Sequence, residues 1–186
     1  MVRTAIVIGS TRPGRKADAV ARWVYGIAKQ RSGTEFEIVD VQDYNLPLLD
    51  EPVPPSRGQY AHEHTKAWAA KIDTFDAFVF VTPEYNHGPS AALKNALDYL
   101  YREWNNKAAA FVSYGGAGGV RAVEQLRLVM AELRIADVRP QVTLSLSTDF
   151  ENFVTFKPDP RHEAAVNAML AEVIAWGGAL KILRQK

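Results

Sequence analysis

The sequence predicts an α/β domain built on one five-stranded parallel sheet, doubly wound in the order 2-1-3-4-5 with helices on both faces. Three observations carry this expectation. Apolar runs recur without polar alternation, as in strands buried on both faces. Segments with apolar residues at helical spacing separate them. At 186 residues and 47% hydrophobic content, the chain is long enough for one large core and short for two, so a single domain over 1–186 is expected.

The first run, residues 4–9, is a buried opening strand; it is too short for a signal-peptide core or a membrane span, so neither is expected. Val20, Val24 and Ile27 then mark one face of a helix, and residues 36–41 a second strand. Residues 43–58 are irregular, with prolines at 47, 52, 54 and 55; such a stretch serves as a binding lid or as a solvated connector, and both readings stay open. Residues 77–82 form the third strand, Leu93, Leu97 and Leu100 the next helix face, and residues 108–114 the fourth strand. Val123, Leu126, Met130 and Leu133 mark another helix, and residues 141–146 a weaker fifth strand. Pro140 lacks a ladder donor, which puts that strand at an edge or starts it beside the proline. A last helix carries Val166, Leu170, Val173 and Leu180 and opens at Asp159-Pro160, a capping residue before a first-turn proline. Alternation of strand and helix implies right-handed βαβ units. Five strands fit the flavodoxin-like order rather than the six-stranded dinucleotide fold.

Composition narrows the function classes. With 22 basic and 21 acidic side chains the net charge is +1, which leaves no electrostatic footprint for nucleic acid or an anionic membrane. There is no cysteine, so disulfides, thiolate catalysis, iron–sulfur clusters and thiolate zinc sites are excluded, in keeping with a cytoplasmic protein.

In this architecture ligands bind beyond the carboxyl ends of the strands, where strand order reverses. Three loops therefore bear the chemistry. The first, Gly9-Ser10-Thr11-Arg12-Pro13-Gly14-Arg15-Lys16, leads into a helix whose free N–H groups, with the Ser10 and Thr11 hydroxyls and the cations Arg12, Arg15 and Lys16, suit a phosphate. It is neither a Walker loop nor a three-glycine dinucleotide fingerprint. The second, Thr82-Pro83-Glu84-Tyr85-Asn86-His87-Gly88-Pro89-Ser90, offers backbone amides to the polar edge of a flat heterocycle and Tyr85 to its face. Metal binding by His87 is disfavoured because no further ligands converge in the sequence. Glu84 reads as pairing with a basic side chain at a subunit contact rather than as an acid–base residue. Lys94, Asp98 and Arg102, spaced by four, form a solvated or interface strip. The third loop, Ser113-Tyr114-Gly115-Gly116-Ala117-Gly118-Gly119-Val120-Arg121, permits close backbone approach to a ligand through its glycines.

Pro83-Glu84-Tyr85-Asn86 followed by Leu93-Lys94-Asn95-Ala96-Leu97-Asp98, with Gly9-Ser10-x-Arg12 and the glycine-rich third loop, resembles the NADPH-dependent FMN reductase family of quinone, chromate and azo-dye reductases. The resemblance runs from residue 5 to about 146. It implies FMN as cofactor and NADPH or NADH as electron donor. Ser10, Thr11, Arg12, Arg15, Lys16 and the start of the helix at Ala17 would hold the FMN phosphate; Pro83, Glu84, Tyr85, Asn86, Ser113, Tyr114, Gly115 and Gly116 would border the ring. Many members have Gly or Ser where this chain has Lys16-Ala17, so a backbone contact survives there and a hydroxyl contact does not. The flavin carries the redox step, so no protein nucleophile or other catalytic side chain is expected. The acceptor would be a small molecule: a flavin, quinone, azo compound or metal oxyanion. Members are commonly homodimers or homotetramers, and Tyr99, Leu100, Tyr101 and Trp104 are candidate interface anchors, with core packing as the other reading. Arg12, Arg15 and Arg121 are candidate partners for the extra phosphate of NADPH, which predicts a preference for NADPH over NADH.

Two other classes share the topology. A flavodoxin-type electron carrier usually presents a strongly acidic face, at odds with the charge balance here. A phosphate-receiving regulatory domain needs acidic residues at its strand ends, where this chain has Gly9-Ser10.

Overall fold

A computed structural model describes residues 1–184. Its sheet comprises β1 (Val2–Ile8), β2 (Thr34–Asp40), β3 (Ala77–Pro83), β4 (Ala108–Gly115) and β5 (Ala136–Ser145), all parallel, in the order β2-β1-β3-β4-β5. The flavodoxin-like expectation therefore holds in strand number, direction and order. β3 and β4 are buried along their whole length, which is why they read as unbroken apolar runs.

Five helices cover the sheet: α1 (Ala17–Ala28), α2 (Glu63–Asp73), α3 (Ala91–Asp98), α4 (Val120–Glu132) and α5 (His162–Leu180). The two-residue period of the strands splits the core into two layers. Ile6, Ile8, Val79 and Val81 pack with α1 and α5, whereas Val7, Phe78 and Phe80 face α2, α3 and α4. By length and composition the helical run His162–Arg184 would suffice to cross a membrane. In the fold, however, its Val166, Met169, Leu170 and Val173 are buried against the sheet.

Apart from α5, which starts at His162 so that Asp159-Pro160 lies just ahead of it rather than in its first turn, four features depart from the sequence expectations. β5 begins at Ala136, and Pro140 sits inside it, where its pairing with β4 shifts register. An edge strand tolerates a proline at such an irregularity because only one side needs donors. Helix α2 has no counterpart in the sequence reading, since its buried face is Thr65, Trp68, Ala69 and Ile72, only two of them large and apolar. A small hairpin, β6 (Phe150–Glu151) and β7 (Thr155–Phe156), was likewise not foreseen.

The fourth departure is a correction. Tyr99, Leu100 and Trp104 are core residues, not interface anchors: all three are buried, and Tyr101 packs partly against the same cluster. The Trp104 ring lies 4.9 Å from Phe78, and its indole N–H donates to the Leu97 carbonyl at 3.1 Å. Buried Lys107, at the start of β4, donates to the Ile72 carbonyl at 2.8 Å and so caps the end of α2. Lys94 and Asp98 do pair along α3, but the helix ends at Asp98 and Arg102 lies instead against Gly58.

The proline-rich segment is fastened at several points. Asn95 on α3 donates to the Pro47 carbonyl at 2.6 Å and accepts the Leu49 N–H at 3.0 Å. The Tyr99 hydroxyl reaches Pro47 at 3.0 Å and the Asp50 carboxylate at 2.9 Å. His64 meets Asp50 at 3.0 Å, while Glu51 accepts the backbone N–H groups of Ala61 and His62. Such bonding favours the connector reading over the lid.

Candidate functional site

The loops after β1, β3 and β4 converge at the carboxyl end of the sheet. Their cleft is lined by Arg12, Pro13, Gly14, Arg15, Lys16, Pro83, Glu84, Tyr85, Tyr114 and Gly115, with Leu146 behind them. Eight of the residues singled out from the sequence thus share one cleft.

The other six occupy different places. Ser10 and Ser113 are buried. The Ser10 hydroxyl is 3.3 Å from that of Tyr85; Ser113 donates to the Gly118 carbonyl at 2.7 Å. Thr11 faces a neighbouring depression with Gln42, Asn45 and Asn95, and Asn86 is exposed at a turn. The side chain of Ala17 is buried in the core, leaving its N–H in the first turn of α1. Gly116 lines an adjoining cavity.

Helix starts supply unpaired N–H groups and a partial positive charge, so what caps each of them decides where an anion can bind. The carboxylate of Glu84 closes α4: it accepts the N–H of Arg121 at 3.0 Å and of Ala122 at 3.4 Å, and it forms an ion pair with the Arg121 guanidinium. Burial alone would raise the pKa of Glu84, but the Arg121 guanidinium and these two N–H groups outweigh it and hold the carboxyl below its ordinary range. Ser90 caps α3, accepting the Leu93 N–H at 3.1 Å, and Asp159 accepts the Arg161 N–H at 2.9 Å before α5. The N-cap residue of α1, Lys16, makes no side-chain capping bond. The buried hydroxyl of Tyr114, pushed up by its burial, sits by the Ala17 N–H and Ser10.

The cations are similarly sorted. Arg15 is bound to both oxygens of Asp40 at the end of β2 and to the Ser10 carbonyl, so it shapes the first loop while its charge is already matched. Arg121 is matched by Glu84. Arg12, 6.0 Å above the Tyr85 ring, and Lys16 form no ion pair among the described residues. Asp40 was not singled out from the sequence; twenty-five residues separate it from Arg15, and no local pattern joins them.

The second loop turns back on itself. Tyr85 and Gly88 exchange backbone hydrogen bonds of 2.9 and 3.0 Å, which forces Asn86 and His87 to φ of 50° and 69°. Gln125 of α4 steadies the turn by donating to the His87 carbonyl at 2.6 Å. No group of three or more His, Cys, Asp or Glu among the described residues is arranged to hold a metal. In the third loop Gly119 has φ of 75°, and a Cβ there would fall 2.7 Å from the Ser113 Cβ; the fold itself requires this glycine. At Gly116 a Cβ would meet nothing within 4 Å, so close packing imposes no such demand.

A doubly wound sheet with an open helix start and unmatched cations after β1, flanked by a tyrosine-bearing turn and a glycine loop, defines a flavodoxin-fold protein suited to a phosphorylated heterocycle. The model of the NADPH-dependent FMN reductase family matches residues 2–149, and the chain belongs to that family. It is 46% identical over 143 residues to an NAD(P)H-dependent FMN reductase of Schizosaccharomyces pombe, covering 75% of this chain and 72% of that one. It is 35% identical over 153 residues to a probable NADPH:quinone oxidoreductase of Oryza sativa, covering 76% and 70%. Among solved structures, the flavoenzyme NAD(P)H:(acceptor) oxidoreductase FerB of Paracoccus denitrificans matches with a TM-score of 0.73 at 19% identity over 96% of this chain and 98% of that one, a likeness of fold.

Proposed function

We propose that this chain is an FMN-dependent NAD(P)H oxidoreductase that passes electrons from a reduced nicotinamide cofactor to a small acceptor of the quinone or flavin class. The observation that carries this reading is the start of α1: its N-cap residue makes no side-chain capping bond, and Arg12 and Lys16 beside it form no ion pair among the described residues. That combination fits the phosphate of FMN.

In this reading Arg12, Lys16, Thr11 and the N–H groups from Ala17 onward hold the phosphate, and Ser10 and Arg15 fix the loop through Tyr85 and Asp40. Pro83, Glu84, Tyr85 and Asn86 border one side of the ring and Ser113, Tyr114, Gly115 and Gly116 the other, mainly through backbone. The bound flavin supplies two-electron chemistry; the protein aligns the partners and presents oriented N–H groups to charge that develops on the ring. The near-neutral charge and the names of the relatives favour this enzyme over an electron carrier.

The protein works as one domain, in the cytoplasm, as a homodimer or homotetramer. The absence of cysteine is consistent with the first location, and exposed Leu128 and Val120 on α4 with assembly. The deciding experiment is the absorption spectrum of the purified protein and its titration with FMN and riboflavin, followed by NADPH and NADH oxidation with and without FMN. Tight FMN binding, weaker riboflavin binding and flavin-dependent turnover are expected. A protein that binds neither flavin and oxidises neither nucleotide refutes the reading; light scattering tests the oligomer.

A further inference from the structure

Beside the cleft lies a second cavity of about 510 Å³, lined by Gly116, Ala117, Gly118, Thr143, Ser145, Thr148, Asp149, Asp159, Arg161 and His162. The two share walls: Gly115 and Leu146 line the cleft, and their chain neighbours Gly116 and Ser145 line the cavity. Asp149 is 2% exposed, and its carboxylate accepts the Ser145 N–H at 2.8 Å, the Asp159 N–H at 3.1 Å and the Thr148 hydroxyl at 3.1 Å. It also holds Nε2 of His162 at 2.9 Å. A buried carboxylate fixed by the backbone on one side and gripping an imidazole on the other sets the ring's tautomer and orientation. Tying the loop needs only the backbone bonds; the imidazole is additional. The other charged groups at this wall, Asp159 and Arg161, pair with each other at 2.7 Å.

We propose that His162, oriented by Asp149, donates the second proton to a quinone reduced at the mouth of this cavity; the proposal rests on the oxidoreductase reading above. Conversion of a quinone to a quinol takes two electrons and two protons. A bound flavin would supply the electron pair with one proton, as hydride, and the quinolate oxygen that remains would need the second. The Nδ1–H bond of the His162 imidazolium breaks, an O–H bond forms on that oxygen, and solvent reprotonates the ring. Thr143, Ser145 and Thr148 give the cavity the hydroxyl lining to receive the polar edge of such an acceptor.

The test compares p-benzoquinone with ferricyanide, which accepts one electron and no proton, as oxidants of the reduced FMN-loaded protein in rapid kinetics. His162→Gln keeps a donor toward Asp149. It should retain FMN and normal reduction by NADPH, slow reoxidation by the quinone at least about tenfold, as expected for loss of a general acid, and leave the ferricyanide rate unchanged. Imidazole in the buffer should restore His162→Ala. Independently of turnover, the ring-nitrogen NMR signals of His162 should shift when hydroquinone is titrated into the FMN-loaded protein. Equal slowing with both oxidants, no slowing with either, or unmoved ring signals overturns the assignment. Lack of flavin reduction by NADPH in the unaltered protein would instead sink the enzyme reading itself.

Discussion

Replacing Glu84 with glutamine separates scaffold from catalyst in the most characteristic loop of the chain. The carboxylate is 5% exposed and accepts two N–H groups at the start of α4 while pairing with Arg121, which is 45% exposed. Glutamine keeps the shape and one acceptor but removes the charge. A hydrogen bond to a charged group contributes about 1.5–3 kcal/mol, and an anion at a helix start about 0.3–1. These overlap, so a loss of about 2–3 kcal/mol is expected, or roughly 5–10 °C in Tm for a domain of this size. The difference has a pH signature. The folded carboxyl titrates below its unfolded value, so its contribution is complete above about pH 4.3 and disappears as pH falls through the lower folded value. The melting temperatures of the two proteins should therefore converge in acid. Flavin reduction by NADPH, followed by stopped-flow at neutral pH in protein that retains FMN, should slow by less than about tenfold, or about 1.4 kcal/mol. A hundredfold loss with FMN bound and stability intact would show that Glu84 takes part in the chemistry. His87→Ala should behave as mildly, because the Tyr85–Gly88 turn is held by backbone and Gln125.

Four further outcomes are expected. Arg12→Ala should weaken FMN by about 1.5–3 kcal/mol, the range for a charge-assisted bond, and leave riboflavin affinity unchanged in fluorescence titrations; equal loss for both ligands refutes the phosphate contact. Asn95→Ala should loosen the segment around Pro47 and Leu49, lowering stability by about 1–3 kcal/mol for the two lost bonds and exposing that stretch to limited proteolysis. Gly119→Ala should destabilise strongly, since its Cβ would fall 2.9 Å from the Tyr114 nitrogen, whereas Gly116→Ala should melt like the parent; the opposite ranking in calorimetry contradicts the packing described. NADPH and NADH should differ by less than about tenfold in kcat/KM, about 1.4 kcal/mol, because Asp40 and Glu84 already match Arg15 and Arg121; a hundredfold preference would require a cation elsewhere.

What could be read from the sequence was whatever is periodic or local. Strands such as β3, buried on both faces, announce themselves as apolar runs, and the three loops are visible because turn and glycine chemistry is written in adjacent residues. Helix α2 escaped because Thr65 and Ala69 occupy half of its buried face. Tyr99 and Trp104 were candidates for a surface contact because an aromatic cluster has the same composition in a core as at an interface. The Arg15–Asp40 and Asp149–His162 pairs join residues twenty-five and thirteen positions apart, brought together by strand order and loop return. Charge matching of that kind belongs to the folded chain, and so the sequence could name the cations of the first loop without sorting the free from the engaged.

The carboxylate that closes α4 also gives the mouth of the protein a polarity. One flank is closed by a matched pair, Glu84 with Arg121, and the other has the helix start with Arg12 and Lys16, which form no ion pair among the described residues. A molecule with a dianionic tail and an uncharged ring therefore has one favourable direction of approach, because turning it end for end would carry the phosphate from unmatched cations to a flank whose charges are already paired. Alignment of the ring with the Tyr85 turn is then decided while the ligand is still entering, by long-range attraction to one side, and short-range contacts need only refine it.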